Sequence, residues 1–180
     1  MTPFEQISQA AIGWGEIVMG RETARERFRL DADGGLVALG LYGLVIAVVI
    51  ALQMAQFPNQ PIFALVVGAA FNLVPVFGLA LVTLPTYWLL RRQGNPYELL
   101  VPGIYLLGGM LALGVALSYF DAQVGTAILG VTAFLLFRTA RKIGGFGIGS
   151  ALAYAVLTAL VLVALPFSLY MLIAPGPGPI

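Results

Sequence analysis

The sequence predicts an all-α, polytopic integral membrane helix bundle with five transmembrane helices. Three observations predict it. Of the 180 residues 60% are apolar and 9% charged, with mean hydropathy +0.97, whereas a soluble domain carries about a quarter charged residues. Five apolar runs approach or exceed the ~20 residues that cross ~30 Å of hydrocarbon. The loops between them carry positive charge on every second side.

Residues 1–34 form the lead-in, read as an amphipathic interfacial helix. Thr2, Pro3 and Glu5 supply an N-cap, a proline at the first helical position and a capping-box glutamate. Phe4, Ile7, Ala11, Trp14 and Val18 follow at 3/4 spacing and share one face. Gly20 predicts a break. Beyond it Glu22 is expected to pair with Arg25, and Glu26 with Arg29. An apolar face with arginines opposite suits the headgroup layer, with Phe4, Ile7, Trp14, Arg21 and Arg25 at the membrane interface. Packing on the protein's own cytoplasmic loops is the alternative.

The five-helix domain covers 35–174. Its first span is 35–55, closed by the turn Phe57-Pro58-Asn59-Gln60-Pro61. The second, 62–90, exceeds what a bilayer requires, and Pro75 and Pro85 predict kinks or tilt. Arg91, Arg92 and Gly94 suit its C-terminal end. Asn95, Pro96 and Glu98 cap the third span, 97–119. Asp121 caps a fourth, 122–142, whose apolar part is short and whose Arg138, Arg141 and Lys142 snorkel. Glycines 144, 145, 147 and 149 lead into the fifth, 148–174, where Pro166 predicts a kink and Ser168 a repair of the freed carbonyl. The tail 175–180, rich in proline and glycine, is expected to be extended.

Basic residues orient the chain. The lead-in has four arginines, the 91–98 loop two, and the 138–147 loop two arginines and a lysine; the other two turns and the tail have none. The N-terminus is therefore expected in the cytoplasm and the C-terminus outside, in the periplasm of a bacterial inner membrane. Glu5 and the absence of a basic start argue against a signal peptide.

The chain has no cysteine and no histidine. Thiolate chemistry, Fe–S clusters, a Ser-His-Asp triad and histidine-ligated haem are excluded. No paired carboxylates, P-loop or nucleophile elbow stand in the sequence, and no ionisable side chain sits mid-span, which disfavours proton-coupled transport. A nucleic-acid partner would need a basic surface that the chain lacks. No enzyme activity, cofactor or metal is expected.

Small residues recur at i, i+4 in every span, as close helix packing in lipid requires. The ladders are Gly43, Ala47, Ala51, Ala55; Ala64, Gly68; Gly108, Ala112, Ala116; Ala122, Thr126, Gly130; and Gly147, Ala151, Ala155, Ala159. Packing within the bundle is the default, and packing on another subunit the alternative. Asn72 follows Gly68 on one face and precedes Pro75. It reads as an interhelical hydrogen bond, or as a ligand contact at a broken helix. Tyr87 and Trp88 read as belt aromatics at the cytoplasmic interface, with nearby hydroxyls repairing the Pro85 defect.

Three stretches carry a family resemblance: RETARERFRLDADGGLVALGLY before the first span, RRQGNPYELLVPGIYLLGG into the third, and FRTARKIGGFGIGSALAYAVLTAL between the last two. With the long second span, this layout resembles the Yip1-like family of small five-span membrane proteins, bacterial type, over about Arg21 to Ile173. The glycine-aromatic patterns that precede the first span of eukaryotic members are not matched. The resemblance implies a five-span fold and, for eukaryotic members, vesicle traffic with small GTPases and membrane shaping. It implies no catalytic residue.

The expected function is that of a non-enzymatic scaffold or accessory subunit of a larger membrane complex, in contact with membrane lipids and other subunits as a hetero- or homo-oligomer. A small transporter or channel built around the second span, and a lipid-interacting, membrane-organising protein, are the alternatives.

Overall fold

The computed structural model describes residues 2–90, 94–118 and 124–173. Among these, seven helices and no strand are present. They are α1 (Pro3–Met19), α2 (Ala24–Arg27), α3 (Ala32–Gln56), α4 (Ile62–Leu90), α5 (Tyr97–Ser118), α6 (Val124–Lys142) and α7 (Ile148–Ile173). Four of them, α3, α4, α5 and α7, are long and apolar enough to cross a membrane. The protein is a membrane-embedded helical bundle. The expected caps at Arg91, Arg92 and Asp121, the ladder position Ala122 and the tail 175–180 lie outside the described residues.

Local chemistry sets the helix ends. Thr2 accepts from the Glu5 amide and the Glu5 carboxylate accepts from the Thr2 amide, a closed capping box. Gly20 stops α1 at φ 78°, a left-handed conformation that favours glycine, and its amide donates to the Glu16 and Ile17 carbonyls. α3 starts before the first span predicted from apolar residues, because Asp31 caps it by accepting from the Gly34 amide at 2.8 Å. α4 begins directly after Pro61, and α5 directly after Pro96.

α3 packs mainly on α5, α4 on α7, and α6 on both α7 and α5. The core runs through Tyr42 and Ile46 of α3, Leu79 and Val82 of α4, Leu99, Val101 and Ile104 of α5, Leu136 and Ala140 of α6, and Ala151, Tyr154 and Ala155 of α7. Gly108 is buried against the Tyr42 ring, 3.4 Å from where a Cβ would stand. α1 and α2 lie at the end of the bundle where α5 starts and α6 finishes.

The small-residue ladders divide. Ala151 and Ala155 are 0% and 2% exposed and face the core. Gly43, Ala47, Ala51 and Ala55 are all exposed. The face of α3 that packs inward carries Ala38, Tyr42, Ile46 and Val49 instead. Packing of the Gly43 ladder within the bundle is therefore corrected: the chain turns it outward. Ala112 and Ala116 are also exposed, and line a shallow groove with Leu44, Val48 and Leu52 of α3.

Two glycines separate these environments experimentally. A Cβ at Gly34 would collide with the Arg29 carbonyl group, whose carbon would lie 2.8 Å away, and only backbone movement could relieve it. At Gly43 nothing lies within 4 Å. Gly34→Ala is expected to cost about 1–3 kcal/mol through overpacking, and Gly43→Ala to stay within about 1 kcal/mol of the parent. Thermal unfolding in detergent, followed by size-exclusion chromatography, measures both.

Candidate functional site

The five long helices converge on a cavity of about 310 Å³. Tyr42 comes from α3, Asn72 and Pro75 from α4, Leu107 from α5, Thr132 from α6 and Leu162 from α7. Pro75 has no N–H for the Phe71 carbonyl, so the α4 ladder is interrupted there. One residue later the Asn72 carbonyl accepts from the Tyr42 hydroxyl at 2.6 Å. The Asn72 side chain donates from Nδ2 to the Gly68 carbonyl at 2.9 Å, and Thr132 donates to the Ile128 carbonyl at 2.8 Å. The donors of this cavity are thus largely committed to backbone carbonyls. What it offers is an open apolar pocket with hydrogen-bond acceptors, chiefly Asn72 Oδ1. Such a lining matches a hydrocarbon-rich molecule bearing a hydroxyl better than a charged one. Gly68 is half-buried, with Gln53 Oε1 3.8 Å from its Cβ position, and stands next to this arrangement rather than in it.

A second polar assembly ties the N-terminal helices to the bundle. Glu98, 6% exposed, takes Arg25 in an ion pair and the Tyr87 hydroxyl at 2.7 Å. Glu16, 5% exposed, accepts from Arg27 at 3.0 Å and from Thr23 at 3.0 Å. Glu22 pairs with Lys142, and Arg29 with Asp31 and Asp33. The expected local pairs Glu22–Arg25 and Glu26–Arg29 are corrected by these contacts. α2 is only four residues long, so a one-turn spacing does not decide its partners, and the carboxylates of other helices do. Arg138 donates to the Ile17 and Val18 carbonyls at 3.2 Å, closing the C-terminal end of α1.

Of the residues expected at the interface, Phe4 and Trp88 are 80% and 69% exposed. Ile7 is half-buried and Arg21 exposed. Trp14 is partly buried, edge-on to Phe28 at 6.2 Å. Tyr87 is corrected outright: at 3% exposed it is a core residue, tilted on Phe146 and held by Glu98. One position along the helix turns the ring by about 100°, which separates Tyr87 inside from Trp88 outside. Near Pro85, Thr86 donates to the Val82 carbonyl at 2.7 Å.

Four contributors were not anticipated. Tyr42 links α3 to α4, Thr83 and Tyr154 meet at 3.0 Å between α4 and α7, and Thr132 lines the cavity. A signal for the first existed: Tyr42 is the sole hydrogen-bonding side chain between Asp33 and Gln53. Comparison with protein-family models, curated proteins and solved structures finds no match to this chain.

Arg27 holds the Glu16 carboxyl below its ordinary value of 4.5, and Lys142 does the same for Glu22. A carboxylate with a depressed folded pKa stabilises the fold above its unfolded value, and that contribution is lost as pH falls through the folded value. The docking of α1 and α2 is therefore expected to hold at neutral pH and weaken below pH 4.5. The Trp14 emission maximum of a Trp88→Phe variant should move on acidification, and Glu16→Gln should reduce the movement. Tyr87→Phe removes a buried bond to a carboxylate and is expected to lower stability by about 1.5–3 kcal/mol at neutral pH, measured by the same detergent unfolding.

Proposed function

We propose that this chain is a non-enzymatic, five-span protein of a bacterial inner membrane that acts as a scaffold or accessory subunit of a larger membrane complex. α6 serves as the fifth crossing. Its 19 residues span ~28 Å, and Arg138, Arg141 and Lys142 at its end reach the headgroups by snorkelling. The basic loops then all face the cytoplasm, with the N-terminus inside and the C-terminus outside. The Yip1-like layout of the sequence fits that count. Its partners are membrane lipids and other membrane subunits, the same or different; nucleic acid is not among them.

The outward face of α3 carries this reading. Gly40, Gly43, Ala47 and Ala51 are exposed, and no atom lies within 4 Å of a Cβ at either glycine. Lipid tails are as apolar as leucine, so a leucine-rich exposed face says nothing in a membrane. A small-residue face admits a second helix to close van der Waals range. Purification from native membranes in mild detergent, with mass spectrometry of what accompanies the chain, tests it. A stoichiometric partner or a homo-oligomer that disappears in Gly43→Leu/Ala47→Leu is the expected result. A monomer free of partners overturns it.

The open pocket at Asn72 and Pro75 favours a second reading, a small transporter or channel built around α4. Uptake or ligand retention that vanishes in Asn72→Leu, with folding intact, would select it; an unchanged uptake in that variant would remove it.

A further inference from the structure

α1 is turned inside out by the standards of a soluble protein. Its packed face holds Gln6, Ala10, Gly13, Glu16 and Ile17. Several of its large apolar residues are instead exposed: Phe4 80%, Ile12 46%, Val18 55% and Met19 63%. Water would disfavour this arrangement, and the headgroup layer favours it.

Beneath that face runs a groove of about 480 Å³, between Trp14, Val18 and Met19 of α1, Tyr105 and Gly109 of α5, and Leu135 of α6. Tyr105 and Gly109 stand ~12 and ~18 Å along α5 from its first residue. The groove therefore leads from the helix ends down into the depth of acyl chains. Gly109 keeps it open, since nothing lies within 4 Å of its Cβ position. A helix ~10 Å across would fill this volume in about one turn, so the space suits a hydrocarbon chain rather than a partner helix.

The groove's outer end is cationic. Arg138, one turn beyond Leu135, uses Nε and Nη2 on the Ile17 and Val18 carbonyls, which leaves the two Nη1 hydrogens. Arg21 follows the glycine that caps α1, whose Cβ position lies 2.7 Å from Arg138 Nη2. Among the described residues neither arginine forms an ion pair, Arg21 acting on the Glu16 carboxylate only through space, whereas Arg25, Arg27, Arg29 and Lys142 each form one.

We propose that this groove is a binding site for an anionic phospholipid: one acyl chain lies between α1, α5 and α6, and the phosphate sits at Arg138 and Arg21. A zwitterionic headgroup would bring a second cation to a place that already holds two. The site rests on the membrane-embedded fold and not on the scaffold role, so the two fail separately.

Trp14 lines the groove, and Trp88 is the other of the two tryptophans. A full-length Trp88→Phe variant, reconstituted in phosphatidylcholine vesicles, reports on the groove alone. Phosphatidylglycerol with brominated chains is then compared with brominated phosphatidylcholine at the same mole fraction. Trp14 is expected to show about a fivefold preference for the anionic quencher, on the scale of one basic residue near a surface. Arg21→Gln and Arg138→Gln should each reduce it, and together bring it near unity. Arg21 is exposed and its replacement leaves the packing of α1 untouched, so the test does not depend on whether Arg138→Gln folds. Equal quenching by the two lipids overturns the proposal. So does a preference that Arg21→Gln leaves unchanged.

Discussion

Hydrocarbon supplies no hydrogen bonds, so polar groups on crossing helices must find partners inside the bundle or do without. Most of this structure follows from that constraint. Thr86, Thr132, Thr139 and Thr158 each donate to the carbonyl four residues back on their own helix. Such hydroxyls are satisfied without a neighbour and say little about packing. Besides the Tyr87 bond to Glu98, two hydroxyl bonds described here leave their helix and do say something. Tyr42 reaches across to the Asn72 carbonyl, and Thr83 meets Tyr154. They join α3 to α4 and α4 to α7. Each is modest, about 0.6 kcal/mol on average between membrane helices. Their weight lies in register: a helix that slid by one residue would leave both ends unpaired in a medium that cannot repair them.

The same constraint sorts the charges. All the described ionisable carboxylates and cations belong to the lead-in, to the start of α5 or to the end of α6. Apart from Arg29, which takes Asp31 and Asp33 nearby, they meet there as longer-range pairs, such as Arg25 with Glu98 and Lys142 with Glu22, and not as Glu22–Arg25 and Glu26–Arg29. The two pairs differ in kind. Glu98 is 8% exposed at its side chain and also receives the Tyr87 hydroxyl, while Glu22 is 80% exposed. An exposed pair contributes little. Glu98 is the anchor, because removing its partners would leave a carboxylate short of donors beneath the surface.

Helix boundaries were legible where punctuation is covalent. Pro61 and Pro96 precede the starts of α4 and α5, and Gly20 ends α1, since each restricts or frees the backbone regardless of surroundings. Facing was not legible. In water, an apolar stripe marks the inside. In lipid both faces are apolar, so period alone could not tell that Tyr87 is core and Trp88 surface, or that the Gly43 ladder of α3 looks outward. Long-range pairing was hidden for another reason. Four arginines lie within nine residues, and which carboxylate each takes depends on where α5 and α6 end. The cavity was half visible: Asn72 and Pro75 stood out in sequence, whereas Tyr42 had to be brought to them from another helix.

This loss of facing information also shows where the signal survives. A membrane helix declares its environment through what is not simply apolar. On α1 that is the polar side: Gln6 and Glu16 are buried while Phe4 is exposed, an order that suits a lipid surface. On α3 it is size: Gly40 and Gly43 face open space where leucine would serve lipid equally well. The bundle interior does not require either choice. No other helix comes within 4 Å of a Cβ at Gly43, and the exposed apolar face of α1 contributes little to the core. Residues whose character the fold itself does not use are accounted for by what lies outside it. On the reading proposed above, that neighbour is the headgroup layer for α1 and another helix for α3.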